Sequence, residues 1–440
     1  MLKELLIRFG EKIRWSAYFL LDRLKGGKVY NKFNANKDAY SSGSSETLLE
    51  QRITDILTHA VKTTQYYKNF DPSAGLSSFP IVNKQIWRDH YDEFRSSSFR
   101  DSKTNRIMKT SGSTGTPFSM IQDRGKIINN TADSIFLSAV GGYRIGEKIA
   151  FIRVWINGIK KSRIQLFMEN MLMLDCTSLN DEAILKMLQI IQKEGVSVLT
   201  GYTSAFEEIS KYIKKTGYDL RNFRVHAILP ISESMNFQIR EQLSKQFGCP
   251  VCSYYSNEEN GIMGIQDPKG SEYYINSESY YFEILKMDSD EPCEEGELGR
   301  IVITDLNNYA FPVIRYDNGD TARAVKHIEN GKIRFMLTEI YGRRIDILYD
   351  TKGQPVNPHM VSINFWNTEG VKQYQFQQIG EKEYRLLLNG DRQKMNVDEM
   401  IQRIQPAFGA DAKIDVEYVD EIPVLSSGKR RYIANLYRHE

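Results

Sequence analysis

Cysteine, long apolar runs and net charge are all in short supply in this 440-residue chain. Four cysteines, Cys176, Cys249, Cys252 and Cys293, are too sparse for a disulfide framework, which points to a reducing compartment and a cytoplasmic location. Lysine plus arginine number 58 against 56 for aspartate plus glutamate, so there is no global electrostatic handle for nucleic acid. No stretch reaches the roughly 18 consecutive apolar residues that a membrane-spanning helix needs. The 12 prolines and 30 glycines are too few for a collagenous or disordered chain, and 41% hydrophobic residues supply a large core without staples. Cys249 and Cys252 form a CxxC pair that reads as half a metal site, as a redox pair or as two buried structural thiols. A second CxxC and an HxxxH are both missing, which weakens the zinc reading.

The length allows two to four folding units. Residues 1–33 predict a basic amphipathic helix, because Leu5, Leu6, Phe9, Ile13, Tyr18, Phe19 and Leu20 are interrupted by Lys3, Glu4, Arg8, Glu11, Lys12 and Arg14 and followed by Arg23, Lys25 and Lys28. That interruption excludes a signal-peptide apolar region. The helix either lies peripherally on an anionic membrane surface or docks on its own protein. Residues 34–46, rich in serine, read as a mobile polar linker. From Glu46, Leu49, Ile53, Ile56, Leu57 and Ala60 recur at helical spacing after a pair of serines able to cap a helix.

Farther on, β-branched runs at 196–200, 225–229 and 301–304 alternate with helical patterns at 181–193 and 204–215, which predicts a large α/β domain over 46–341 with sheets flanked by helices. Beyond Gly342 the pattern changes. Strand-like alternation at Tyr374 and Phe376 and again over 384–388 is followed by Val397, Met400, Ile401, Ile404 and Phe408 at helical spacing. A further alternation at Ile414, Val416 and Tyr418 completes a β-β-α-β unit, so 342–440 is read as a small α+β domain.

The segment Thr110, Ser111, Gly112, Ser113, Thr114, Gly115, Thr116, Pro117 can wrap an anion with backbone N–H groups and hydroxyls, yet it lacks the Gly-Lys-Ser/Thr ending of a P-loop. Tyr255 stands three and four residues before Glu258 and Glu259, a spacing suited to stacking a base and holding Mg²⁺. Its bland counterpart is a polar strand end. Asp320, in Asn-Gly-Asp after the apolar run 311–314, reads as a carboxylate on a tight turn. Gly342, Arg343 and Asp346 fall at the composition break, and Lys429 follows a glycine near the C-terminus.

In this order, the five segments resemble those of the adenylate-forming superfamily. More closely, the chain is similar to the phenylacetate-CoA ligase branch and, within it, the CapK-like proteins linked to capsular polysaccharide biosynthesis. Supporting stretches are His59-Ala-Val with Tyr66 and Tyr67, the run 79–84, the run 296–303 and the run 311–316, and the resemblance covers about residues 47–434. It implies that Thr110, Ser111, Gly112, Ser113, Thr114 and Gly115 hold the β- and γ-phosphates of ATP, although Phe118 stands where many members have a lysine. It implies that Tyr255 lies against adenine, that Glu259, or Glu258 one residue away, holds Mg²⁺, and that Asp320 takes the ribose. Arg343 would lie near the nucleotide, Asp346 at the hinge of a mobile C-terminal lid, and Lys429 between substrate carboxylate and α-phosphate. Ser232 and Glu233 fall where the family has an adenine-contacting turn.

The implied function is an ATP-dependent, AMP-forming ligase that adenylates a small carboxylic acid and passes the acyl group to CoA or to a sugar precursor, without nucleic acid. Pocket walls would come from positions such as Gly201, Tyr202 and Ser204, which do not name the acid. A homodimer is the reasonable prior for such an enzyme. Readings of other classes are a non-catalytic nucleotide-binding regulator and a metal-binding accessory protein built on the cysteines.

Overall fold

The computed structural model describes residues 2–100, 102–110, 118–155, 161–231, 235–343, 347–356, 361, 368–423 and 431–437. Two compact units emerge. The larger comprises Met1–Met235, Glu241–Asn318 and Ala322–Glu339; the smaller comprises Asn236–Arg240, Gly319–Thr321 and Ile340–Glu440.

One sheet of the larger unit is parallel, with strands in the order Met171–Asp175, Ile149–Arg153, Val198–Tyr202, Ala227–Ile231. Helices connect them, as parallel pairing requires. The helix Asp181–Glu194 shows why: Asn180 caps its start, Gly195 closes its end in the left-handed region, and Ile184, Met187, Leu188 and Ile191 form one buried stripe. Gly201 sits where two strands approach so closely that a Cβ would lie 2.1 Å from the Ile152 carbonyl oxygen. Gly201→Ala is therefore expected to cost about 1 to 3 kcal/mol in a urea melt.

A second sheet carries the strands Tyr280–Leu285, Gly299–Asp305, Tyr316–Glu329, Lys332–Arg343, Tyr273–Ile275, Gly261–Gln266 and Tyr254–Asn257 in that order. Separately, Arg106–Thr110 and Phe118–Gln122 pair as an antiparallel hairpin. Asn318, Gly319 and Asp320 do not form the expected tight turn; they lie inside the strand Tyr316–Glu329, where Gly319 takes a φ of +84° that other residues rarely adopt.

The N-terminus departs from its expected form. Helix α1 (Leu2–Leu24) ends before Gly26 and Gly27, both at positive φ, and a second helix, α2 (Lys28–Ser42), occupies most of the supposed linker. Val29 and Ala39 on α2 are buried, Phe33 and Tyr40 pack on Phe136, and the Asn36 amide donates to the buried Asp133 carboxylate at 2.7 Å. Lys32 donates to the Glu278 carbonyl, and burial lowers its ammonium pKa while it raises that of the Asp133 carboxyl. Serines dominate the end of this segment, but its docking face is aromatic and amide. After Gly43, Ser44 and Ser45 pair with Ile333 and Lys332. Helix α3 (Glu46–Thr63) then begins with the Ser45 hydroxyl accepting from the Leu48 amide, as expected.

The smaller unit holds a four-stranded sheet in the order Lys413–Tyr418, Glu383–Gly390, Val371–Gln378, Ile433–Asn435, with the helix Val397–Phe408 packed against it through Met400, Ile404 and Phe408. Three strands and the helix match the expected pattern. The fourth, Ile433–Asn435, runs parallel to Val371–Gln378 and is too short to show periodicity.

Candidate active site

The larger unit assembles one buried charged site around the turn between the strands Tyr254–Asn257 and Gly261–Gln266. Asn257 Oδ1 accepts from the Asn260 amide at 2.7 Å, and Gly261 closes the turn at a φ of +98°. This geometry separates the two carboxylates: Glu258 is exposed, whereas Glu259 is 1% exposed. The Gln122 side-chain amide donates to the Glu259 carbonyl at 3.2 Å, which ties the far strand of the hairpin to this turn. Residues 111–117 connect that hairpin's strands, from Thr110 opposite Phe118.

Lys84 Nζ lies 2.7 Å from Glu259 Oε1 and compensates its buried charge. Lys84 is delivered by a local device. Asn83 Oδ1 caps the helix Lys84–Asp89, accepting from the Gln85 and Ile86 amides. The preceding Val82 bridges the sheet, its amide donating to the Arg315 carbonyl and its carbonyl accepting from Asp317. Arg315, buried and at a φ of +48°, donates to the Phe79 carbonyl and forms a two-pronged pair with Glu283 at 3.1 and 3.0 Å. Trp87 stacks on Tyr316 at 4.2 Å. Sequence reasoning noted the run 79–84 as a family likeness but did not assign Lys84 to the site; an Asn cap immediately before a lysine was the available signal.

Behind the turn lies a buried relay. Lys126 and Asp305, both fully buried, pair at 2.5 Å. Lys126 also donates to the Tyr280 hydroxyl at 3.0 Å, and that hydroxyl donates to the Asn260 carbonyl at 2.6 Å. The residue beside Glu259 is thus held by a chain of polar contacts from the core.

Tyr255 is buried, its ring edge-on to Phe282 and its hydroxyl accepting from the Asn318 amide at 2.8 Å. Asp320 is half-buried, two residues beyond Asn318 on the strand. At the carboxyl end of the parallel sheet, Tyr202 is buried, and the Arg153 guanidinium lies over the rings of Trp155, Phe151 and Tyr202 at 5.4, 5.5 and 5.9 Å. Arg343 ends the strand Lys332–Arg343. Ser111, Gly112, Ser113, Thr114, Gly115, Ser232, Glu233, Asp346 and Lys429 lie outside the described residues.

The donor set bears on Mg²⁺ directly. Glu259 offers one buried carboxylate, and Mg²⁺ sites that serve nucleotides use one or two carboxylates with the rest of the shell from phosphate and water. The residues therefore fit a cation carried by a nucleotide. Among the described residues no group of three or more His, Cys, Asp or Glu converges as a metal site. Cys249 and Cys252 are buried, and burial pushes the Cys249 thiol up to about 12, as suits inert structural thiols.

Comparison with known proteins agrees with this architecture. Residues 348–436 match the family model of the CapK C-terminal domain. Protein CapK of Staphylococcus aureus is 23% identical over 93% of this chain and 95% of its own length. A phenylacetate-coenzyme A ligase of Thermus thermophilus is 22% identical over 71% of this chain and 73% of its own. Among solved structures, 2-hydroxyisobutyryl-CoA ligase in its postadenylation state superposes with a TM-score of 0.70 over 89% of each chain at 15% identity. The fold is that of the adenylate-forming acid–CoA ligases. In sequence the chain is similar to CapK and to phenylacetate-CoA ligases.

Proposed function

We propose that this protein is an ATP-dependent, AMP-forming ligase that activates a carboxylic acid as its acyl-adenylate and transfers the acyl group to an acceptor. The observation that carries this reading is the hydrogen bond from Gln122 to the Glu259 backbone. It brings the hairpin bearing the Thr/Ser/Gly segment, which resembles a phosphate loop, against the turn bearing the buried Glu259 carboxylate. The phenylacetate-CoA ligase relatives support the same class.

In the first half-reaction a carboxylate oxygen forms a bond to the α-phosphorus, the bond to the bridging oxygen breaks, and pyrophosphate leaves. Two anions meet and the pentacoordinate transition state gains charge, so cations must offset the repulsion. Lys429 would supply an ammonium between the carboxylate and the α-phosphate, and Thr110 to Gly115 would hold the outer phosphates. Glu259 would hold Mg²⁺, which when bound neutralises phosphate charge. Tyr255, Asp320, Arg343, Ser232 and Glu233 would position the nucleoside. Lys429 would ride on the smaller unit acting as a lid, so that closure delivers it and excludes water from a labile acyl-adenylate.

In the second half-reaction the acceptor's nucleophile attacks the acyl carbon, AMP leaves and the nucleophile loses its proton. The CapK-like resemblance favours an amine or hydroxyl of a sugar precursor, in surface polysaccharide biosynthesis. The phenylacetate-CoA ligase relatives favour the CoA thiol as the second reading. The test is carboxylate-dependent exchange of labelled pyrophosphate into ATP with aryl, fatty and amino acids, Lys429→Ala serving as control. Exchange with one acid class, abolished in the variant, is expected. Absence of any ATP binding would overturn the proposal.

A further inference from the structure

Helix α1 presents an apolar stripe to solvent that its docking does not require. At about 100° per residue, Phe9, Ile13, Leu20 and Leu24 fall within about 60° of arc. These four side chains are 51 to 76% exposed. The opposite side of the helix faces the body: Phe19 is buried among Trp15, Tyr18, Tyr30 and Phe33, and Glu11 reaches Arg224 and Ser197. Asp22 is turned inward as well, accepting from the Val29 and Tyr30 amides at the start of α2.

Charge is therefore sorted across the helix. Both acids of residues 7–24 serve the body side, and Lys12 and Arg23 flank the stripe beside Phe9, while Arg8 falls next to Phe19 and the Arg14 side chain leaves the helix beside Gly146 of the body. The Arg14 guanidinium donates to the Phe167 carbonyl at 2.5 Å and lies 4.6 Å from the Phe167 ring, on the helix Arg163–Glu169. That helix exposes Ile164, Phe167 and Met168 at 67 to 72%. Two helices of one unit, linked through Arg14 and Phe167, thus each expose several large apolar side chains, more than the scattered single residues of an ordinary surface.

We infer that this surface is a peripheral membrane-docking site for an anionic lipid bilayer. An interfacial helix buries its apolar face at the headgroup boundary while Lys and Arg meet anionic headgroups, and it does so without spanning. No described helix is long and apolar enough to cross a membrane, which leaves docking as the mode of contact open to α1. The stripe is complementary to lipid in both polarity and charge. A second copy of the chain would bring like charges together along the same edge. The inference does not depend on the proposed ligase activity.

The test is co-sedimentation of the full chain with vesicles of phosphatidylcholine alone or with about 30% phosphatidylglycerol, a leaflet charge able to attract basic segments. Binding to the anionic vesicles alone is expected, falling several-fold between about 0.1 and about 1 M salt as the Debye length shrinks. Ile13→Ser, Leu20→Ser and Leu24→Ser combined should lower bound protein about tenfold, because the stripe's buried apolar area is lost. All three positions are exposed, and retention of the helical circular dichroism signal confirms that the variant folds. Lys12→Glu with Arg23→Glu should remove the lipid-charge dependence. A folded wild-type chain that ignores anionic vesicles overturns the proposal, as does vesicle binding unchanged in the triple variant. If light scattering instead finds a dimer that the serine variant dissociates, the surface belongs to a second copy and the lipid assignment fails.

Discussion

Glu259→Gln is expected to lower pyrophosphate exchange by about 10²- to 10³-fold, or about 3 to 4 kcal/mol of transition-state stabilisation, while leaving the protein folded. The substitution keeps the side chain's size and removes only its charge. Lys84, 28% exposed, can then turn to water at little cost, so the thermal midpoint should stay close to that of the wild type. Lys84→Ala reverses the balance. It leaves a carboxylate that is 2% exposed without its cation, and the penalty falls on folding at about 1 to 3 kcal/mol. Measuring exchange and urea stability on both variants separates a carboxylate held for chemistry from one held for packing. Equal stability losses with exchange intact in Glu259→Gln would show that the pair is structural alone.

The second large effect concerns the relay behind the turn. Asp305→Ala strands the ammonium of Lys126 in a site where neither side chain has any exposure, and breaking such a pair costs about 3 to 5 kcal/mol. The Tyr280 hydroxyl loses an orienting donor once Lys126 is drawn away, so the Asn260 carbonyl, adjacent to Glu259, loses its anchor as well. Replacing both partners with apolar residues, Lys126→Met with Asp305→Leu, should recover most of the stability, because desolvation of two ions is avoided. Urea melts of the single and double variants check this. A double variant no more stable than Asp305→Ala would mean that the pair's neighbours, not its charges, hold the core.

Local signals were strongest where an element satisfies itself. Helix α3 announces itself through Leu49, Ile53, Ile56, Leu57 and Ala60 behind a serine cap, and the helix of the smaller unit through Val397 to Phe408. Residues 34–46 misled because what fixes them is distant: Asn36 is buried only because Asp133 and α2's aromatic neighbours are there to receive it. A polar side chain's burial is a tertiary fact, invisible in a window of neighbours. The Asn-Gly-Asp tripeptide misled for the opposite reason, since a glycine at positive φ serves a kinked strand as well as a turn. Within the site, the sequence left Glu258 and Glu259 one residue apart in register. The turn separates them, placing Glu259 inside, and pairs it with a lysine 175 positions earlier that no spacing rule connects.

The clamp on Val82 carries a consequence for how this chain can vary. Lys84 owes its position to a rivet at Val82 and a cap at Asn83, both downstream of the two exposed 3₁₀ turns Pro72–Ala74 and Leu76–Ser78. Length changes around residues 71–75 are absorbed upstream of the rivet, and each doubling of a flexible loop costs only about 0.6 kcal/mol in closure entropy. A one-residue slip within 79–83 is different in kind, because it moves Asn83 off the helix cap and swings Lys84 away from Glu259. Insertions and deletions should accumulate on one side of Phe79 and stop abruptly at the other, giving the chain a tolerant border that ends at a rigid one.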